Sequence, residues 1–152
     1  HAGDRTIGVV ENLGRYGIWV SRHLWPSDAS VIASAAREIE SLGYGAVWIG
    51  GSPTDDLNLP EAILAATSTL VVGTSIVDIW HSHPEILAAG HARVSRQFPG
   101  RFYLGVGSGH APSAAAVGQA YVKPLTKLRT TIVNQDGTVV LDGTALVWTE
   151  PL

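Results

Sequence analysis

Cysteine is absent from this chain of 152 residues, and so is methionine. Without cysteine there is no disulfide, no thiolate metal site and no cysteine nucleophile. That absence fits a cytoplasmic protein. Without methionine there is no initiator residue, so His1-Ala2-Gly3-Asp4 reads as a processed or trimmed end. Charge is scarce as well. Charged residues make up 15% of the chain and hydrophobic residues 45%, a globular rather than a disordered balance. The 10 Lys and Arg are scattered singly and the formal charge is -3, so nucleic acid is not an expected partner. No uncharged apolar run approaches the roughly 18 residues of a membrane span. No signal peptide is visible at the start, and no membrane association is expected.

Glycine, in contrast, is plentiful, with 17 residues, most of them at the ends of apolar runs. The most informative stretch is Arg101–His110, RFYLGVGSGH. Its apolar start is continuous rather than alternating, as in a strand covered on both faces. Its glycines then let the backbone approach a ligand closely. Tyr16–Ser21 (YGIWVS), Ala46–Gly50 (AVWIG) and Thr69–Trp80 (TLVVGTSIVDIW) predict three earlier strands, the last with its exit. Helices are predicted between them. Ser27-Asp28 caps the first, over Ala29–Leu42, with Ile32, Ala35, Ala36, Ile39 and Leu42 at helical spacing. Pro60 sits in the first turn of the second, over Glu61–Ser68, and Pro84 opens the third, over Glu85–Phe98. Gly51–Asn58 reads as a polar loop in which Asp55-Asp56 is solvated. Strand and helix alternate at roughly 25–30 residues, which implies a parallel sheet.

The pattern changes near Arg129. Thr130–Val133 and Thr138–Val147 are β-branched runs, and Asn134-Gln135-Asp136-Gly137 between them is a hairpin turn signal. Two units are expected: residues 1–124, and a hairpin tail over residues 125–152.

With these elements placed, about residues 13–124 resemble the N-terminal half of luciferase-like monooxygenases, closest in style to the oxidoreductases that use coenzyme F-420. The matching stretches are YGIWVS, AREIESLGYGAVWIGG (Ala36–Gly51), LPEAILAATSTLVVGTSIVDIWHSHP (Leu59–Pro84) and RFYLGVGSGHAP (Arg101–Pro112). The resemblance implies an α/β fold, half of a (β/α)8 TIM barrel with four parallel βα units followed by a C-terminal hairpin. It also implies coenzyme F-420 or FMN as cofactor. The family's cofactor phosphate site lies mainly in later strands that this sequence does not show. The tail LRTTIVNQDGTVVLDGTALV (Leu128–Val147) is similar to the last hairpin of MaoC-like hot-dog hydratases. The catalytic Asp and His of that family do not appear.

Ligands of a parallel βα array bind at the C-terminal ends of its strands. Those ends offer Ser21, His23 and Trp25, then Gly50, Gly51 and Ser52, then Asp78, Trp80, His81 and His83, and finally Gly107, Ser108, Gly109 and His110. By the resemblance, Ser75 and Ile76 lie behind a flat isoalloxazine-like ring, where a non-proline cis bond can occur. The cofactor-binding candidates are therefore His23, Trp25, Ser75, Ile76, Trp80, Gly107, Ser108 and His110, and no catalytic residue is assigned. The plainer alternatives stay open. Trp25 and Trp80 can simply pack beneath loops. His91 lies inside the third helix as a surface or satisfied histidine. His81-Ser82-His83 lacks a third ligand, so no metal site is expected. Gly105–His110 lacks the Rossmann spacing, and Ser108 with His110 lacks an Asp for a triad.

Four parallel strands cannot close, so two edges stay open and inward side chains lie bare. Burying ten such side chains is worth roughly 15–30 kcal/mol before entropy. A homodimer or larger self-assembly is expected, with exchange of tail strands as one route. Two functions remain open: a truncated or chimeric flavin- or deazaflavin-dependent oxidoreductase fragment, or a self-associating structural polypeptide without catalytic activity.

Overall fold

A computed structural model describes residues 13–118, 128–133 and 139–145. Valine and isoleucine dominate the first strands, β1 (Gly17–Ser21), β2 (Ala46–Gly50) and β3 (Val71–Thr74). β3 continues past Ser75-Ile76 into the short β4 (Val77–Asp78). The next strand is likewise in two pieces, β5 (Phe102–Tyr103) and β6 (Val106–Gly107). The sheet is parallel with order β1-β2-β3-β5, and β4 pairs with β6 as its extension. Val47 faces Ile18 and Val72 across the ladder. β7 (Leu128–Val133) and β8 (Val139–Ala145) form a separate antiparallel hairpin. Its predicted turn, Asn134–Gly137, lies outside the described residues, as does the segment His1–Asn12.

The crossovers are α1 (Ala29–Ser41), α2 (Asn58–Ala66) and α3 (Pro84–Gln97), and α4 (Ala111–Ala116) follows the last strand. The Asp28 side chain starts α1 by accepting the N–H groups of Ser30 (2.8 Å) and Val31 (3.2 Å). The core lies between sheet and helices. Ile32 and Ala36 of α1 and Ile63 and Leu64 of α2 close over Val47 and Ile49 of β2. Because side chains alternate across a strand, Trp48 points to the opposite face. There the Trp48 ring covers Gly73 of the next strand, and the Trp19 ring covers Gly50. A β-carbon at either glycine would fall inside the ring above it. Trp19 remains 58% exposed on this open face. Among the described residues, no helix is long and apolar enough to cross a membrane.

At the end of the sheet where the strands begin, Glu40 joins α1 to β3. Its carboxylate accepts the N–H groups of Ser68, Thr69 and Leu70 and the Thr69 hydroxyl, at 2.7–3.0 Å to Oε1. Burial pushes the Glu40 pKa up, but these donors outweigh it and hold it below the ordinary value.

Three sequence expectations are corrected. The third and fourth strands are each interrupted rather than continuous. Thr74 sits at the break: its Oγ1 donates to the Gly105 carbonyl and accepts the Gly105 N–H, both at 2.8 Å, so that this N–H takes a side-chain partner rather than a ladder one. α2 begins at Asn58, three residues early, because Asp56 Oδ1 accepts the Asn58 N–H at 3.1 Å. Asp55-Asp56 is accordingly not a solvated pair. Asp56 organises the α2 start, and Asp55 Oδ2 accepts the His83 N–H at 2.7 Å and lies 3.0 Å from His83 Nδ1.

Candidate functional site

The strand exits gather at one rim, and backbone proximity decides what happens there. The Ser75-Ile76 peptide bond is cis. Beyond it, Val77 N–H donates to Gly105 O at 2.8 Å and Ile79 N–H to Gly107 O at 3.1 Å. Glycine is what permits this approach. A β-carbon at Gly105 would overlap the Thr74 carbonyl oxygen, and one at Gly107 would lie 3.1 Å from Ile76 Cγ1. Gly109 has φ +56, and a β-carbon there would lie 2.5 Å from Asp78 Oδ2.

Asp78 is the hub of this rim. It is only 4% exposed. Its N–H donates to Ser52 Oγ at 3.0 Å, its Oδ1 accepts the Trp80 N–H at 2.9 Å, and its carbonyl accepts the Ser82 hydroxyl at 2.7 Å. His81 Nδ1 lies 3.6 Å from Oδ2. Trp80 then spans to the neighbouring loop, where its Nε1–H donates to Ser108 O at 2.7 Å. The loops after β2, β4 and β6 are thereby tied into one unit. Asp55, on the first of these loops, has its pKa lowered chiefly by the His83 N–H, partly opposed by burial.

The eight candidates divide. Ser75, Ile76, Trp80, Gly107 and Ser108 come together at the rim. His23 lies apart from these contacts, on the 3-10 turn Arg22–Leu24, in an open groove with Arg22, Pro53, Thr54 and Leu59. Trp25 packs against the hydrophobic core. His110 is exposed at the start of α4 and makes no side-chain capping bond. His91 is half-buried, 3.3 Å from Ser95 Oγ, and burial lowers its pKa. Among the described residues, no group of three or more His, Asp or Glu is placed to hold a metal ion. The sequence placed Asp78 at a strand exit but did not show its linking role, and it did not single out Arg22. The position of Arg22 directly after a strand was the available signal.

The family model of luciferase-like monooxygenases matches residues 26–132, well over half of the sequence. The chain belongs to this family. Among relatives of the luciferase-like protein, an F420-dependent glucose-6-phosphate dehydrogenase of Nakamurella multipartita is 30% identical over 107 residues, covering 63% of this chain and 31% of the relative. The luciferase-like chain spans less than a third of the length of the curated relatives it matches. Two solved structures share its fold. One is the oxygenating constituent of 3,6-diketocamphane monooxygenase from Pseudomonas putida in complex with FMN, with TM-score 0.57 and 18% identity over 72% of this chain and 35% of that one. The other is the coenzyme F420-dependent tetrahydromethanopterin reductase of Methanopyrus kandleri, with TM-score 0.54 and 23% identity over 70% of this chain and 30% of that one. The parallel α/β array is thus that of a partial TIM barrel.

Proposed function

We propose that this chain is the ring-bearing part of a flavin- or deazaflavin-dependent oxidoreductase of the cytoplasm, with FMN or coenzyme F-420 as its cofactor. The observation that carries the proposal is the rim in which Ser75-Ile76, Gly107-Ser108 and Trp80 are fastened together by Asp78. The residues fit a flat ring. Ser75 is short and exposed, Gly107 adds no side chain, and Ile76 gives an apolar wall. The cofactor would supply hydride chemistry. The protein's part is to present this wall, hold Trp80 beside it and limit water on one side. His110 stands exposed at the end of the same loop, where its ring nitrogens can exchange hydrogen bonds with a ligand. The phosphate end of the cofactor is not assigned to residues of this chain.

Titration of the purified protein with FMN and with coenzyme F-420, followed by fluorescence, tests the reading. Saturable micromolar binding that is lost in Trp80→Ala is expected. Absence of binding by folded protein contradicts it.

A second reading is favoured by the open sheet. Among the described residues β1 and β5 are the sheet edges, and Trp19 of β1 and Tyr16 just before it are 58% and 59% exposed. Such an edge invites a second copy. On this reading the chain is a self-associating structural polypeptide, and its own catalysis is not required.

A further inference from the structure

The groove at the exits of β1 and β2 is separate from the rim contacts described above. Its lining is Arg22, His23, Pro53, Thr54 and Leu59. Gly51 makes the groove possible. With φ +72 and no side chain, it lets the turn after β1 lie against the β2 exit, and a β-carbon there would sit 2.8 Å from Ser21 Oγ and 3.4 Å from His23 Cδ2. The arrangement brings a guanidinium and an imidazole to one apolar floor, and the Thr54 hydroxyl beside them donates to Asp56 Oδ1 at 2.6 Å.

Two donors of this turn are unused. Arg22 Nε and Trp25 Nε1 are buried and have no hydrogen-bond partner. Trp25 closes the turn through its own N–H, which donates to Arg22 O at 3.2 Å. Buried donors are almost always paired, so an orphan guanidinium N–H marks a missing acceptor. Arginine is charged at any ordinary pH and offers its donors in a planar fork. The ion pairs among the described residues all involve other groups. The nearby loop carboxylates are engaged elsewhere, Asp55 with His83 and Asp56 with Thr54 and Asn58. No acidic residue lines the groove.

We propose that this groove is an oxyanion-binding site, in which Arg22 with His23 takes the phosphoryl or carboxyl group of a small ligand. Arg22 receives the anion as a fork, and Pro53 and Leu59 hold the apolar part next to it. The inference does not depend on the cofactor reading. It assigns anion recognition to the mouth of the array, beside β1, whatever binds at the rim.

The test is titration of the full chain with inorganic phosphate, and separately with acetate, at ionic strength held constant with chloride. Phosphorus NMR and thermal unfolding report phosphate binding, and unfolding alone reports acetate. Saturable phosphate binding is expected, with the dissociation constant at least tenfold weaker in Arg22→Gln and only partly restored in Arg22→Lys. Should Arg22→Gln fold poorly, His23→Glu places a carboxylate on the groove and should abolish phosphate binding in an otherwise folded protein. Displacement of phosphate by FMN but not by riboflavin would assign the anion to the cofactor, and failure of FMN to compete would assign it to another ligand. Either result supports the site. Equal binding by the parent and Arg22→Gln, or no effect beyond that of chloride, overturns it and leaves water as the partner of the orphan donors. A chain that binds phosphate but neither FMN nor coenzyme F-420 would retain this site and lose the cofactor reading.

Discussion

Asp78 shows how much one side chain can decide at the rim. Its carboxylate is nearly buried, and it accepts the Trp80 N–H while packing against the glycine backbone of the adjacent loop. Removing it strands that N–H. Asp78→Ala should lower stability by about 2 kcal/mol, and Asp78→Asn, which keeps an acceptor, by less. Urea unfolding of the three proteins checks the order. Trp80→Phe keeps most of the ring but loses the bond to Ser108 O. It should cost about 1 kcal/mol and speed hydrogen exchange in the loop after β6. At this scale the sequence was only half legible. Residue type and position after a strand marked Trp80 and Ser108 as neighbours of a ligand site. The bond between them depends on two loops 28 residues apart, and no local pattern encodes such a distance.

At the scale of elements, boundaries were read well where local chemistry sets them. Asp28 begins α1 where a capping residue was expected, and β2 occupies Ala46–Gly50 as its apolar run indicated. The misses have side-chain causes. Thr74 takes the Gly105 N–H where the two strands break, while Asp56 draws α2 forward. Neither is visible to periodicity. The join between α1 and β3 also rests on one side chain, Glu40, and gives a pH prediction. Its folded pKa is lower than its unfolded one. The stabilisation is therefore fully present above the ordinary glutamate value of about 4.3 and is lost as pH falls through the lower folded value. Glu40→Gln should cost about 1–2 kcal/mol at neutral pH, with the gap to the parent narrowing below about pH 4. Urea unfolding across pH 3–7, on the order of eight points, measures that gap.

For the whole molecule, the order of strands and helices was legible because each βα step carries its own apolar run and glycine stop. What the sequence left open is the company the sheet keeps. One face is packed by α1 and α2, and the other carries the exposed Trp19 and the half-buried Trp48. Self-association should appear in light scattering as a mass at least twice that of the 16.0 kDa chain. A monomer at micromolar concentration would remove the structural reading. Glu or Lys at Trp19 should shift the distribution toward monomer, since a charge on an open apolar face opposes docking.

The tryptophan-over-glycine layer has an optical consequence. Trp19 lies on the solvent side of the sheet, above Gly50, which offers no side chain to shield it. Its emission should be quenched readily by acrylamide in the isolated chain and become protected, and bluer, once the face is covered. Trp19→Phe should remove that concentration-dependent change from the spectrum. The protein thus carries a built-in lamp on the surface whose fate is in question, and dilution alone is enough to read it.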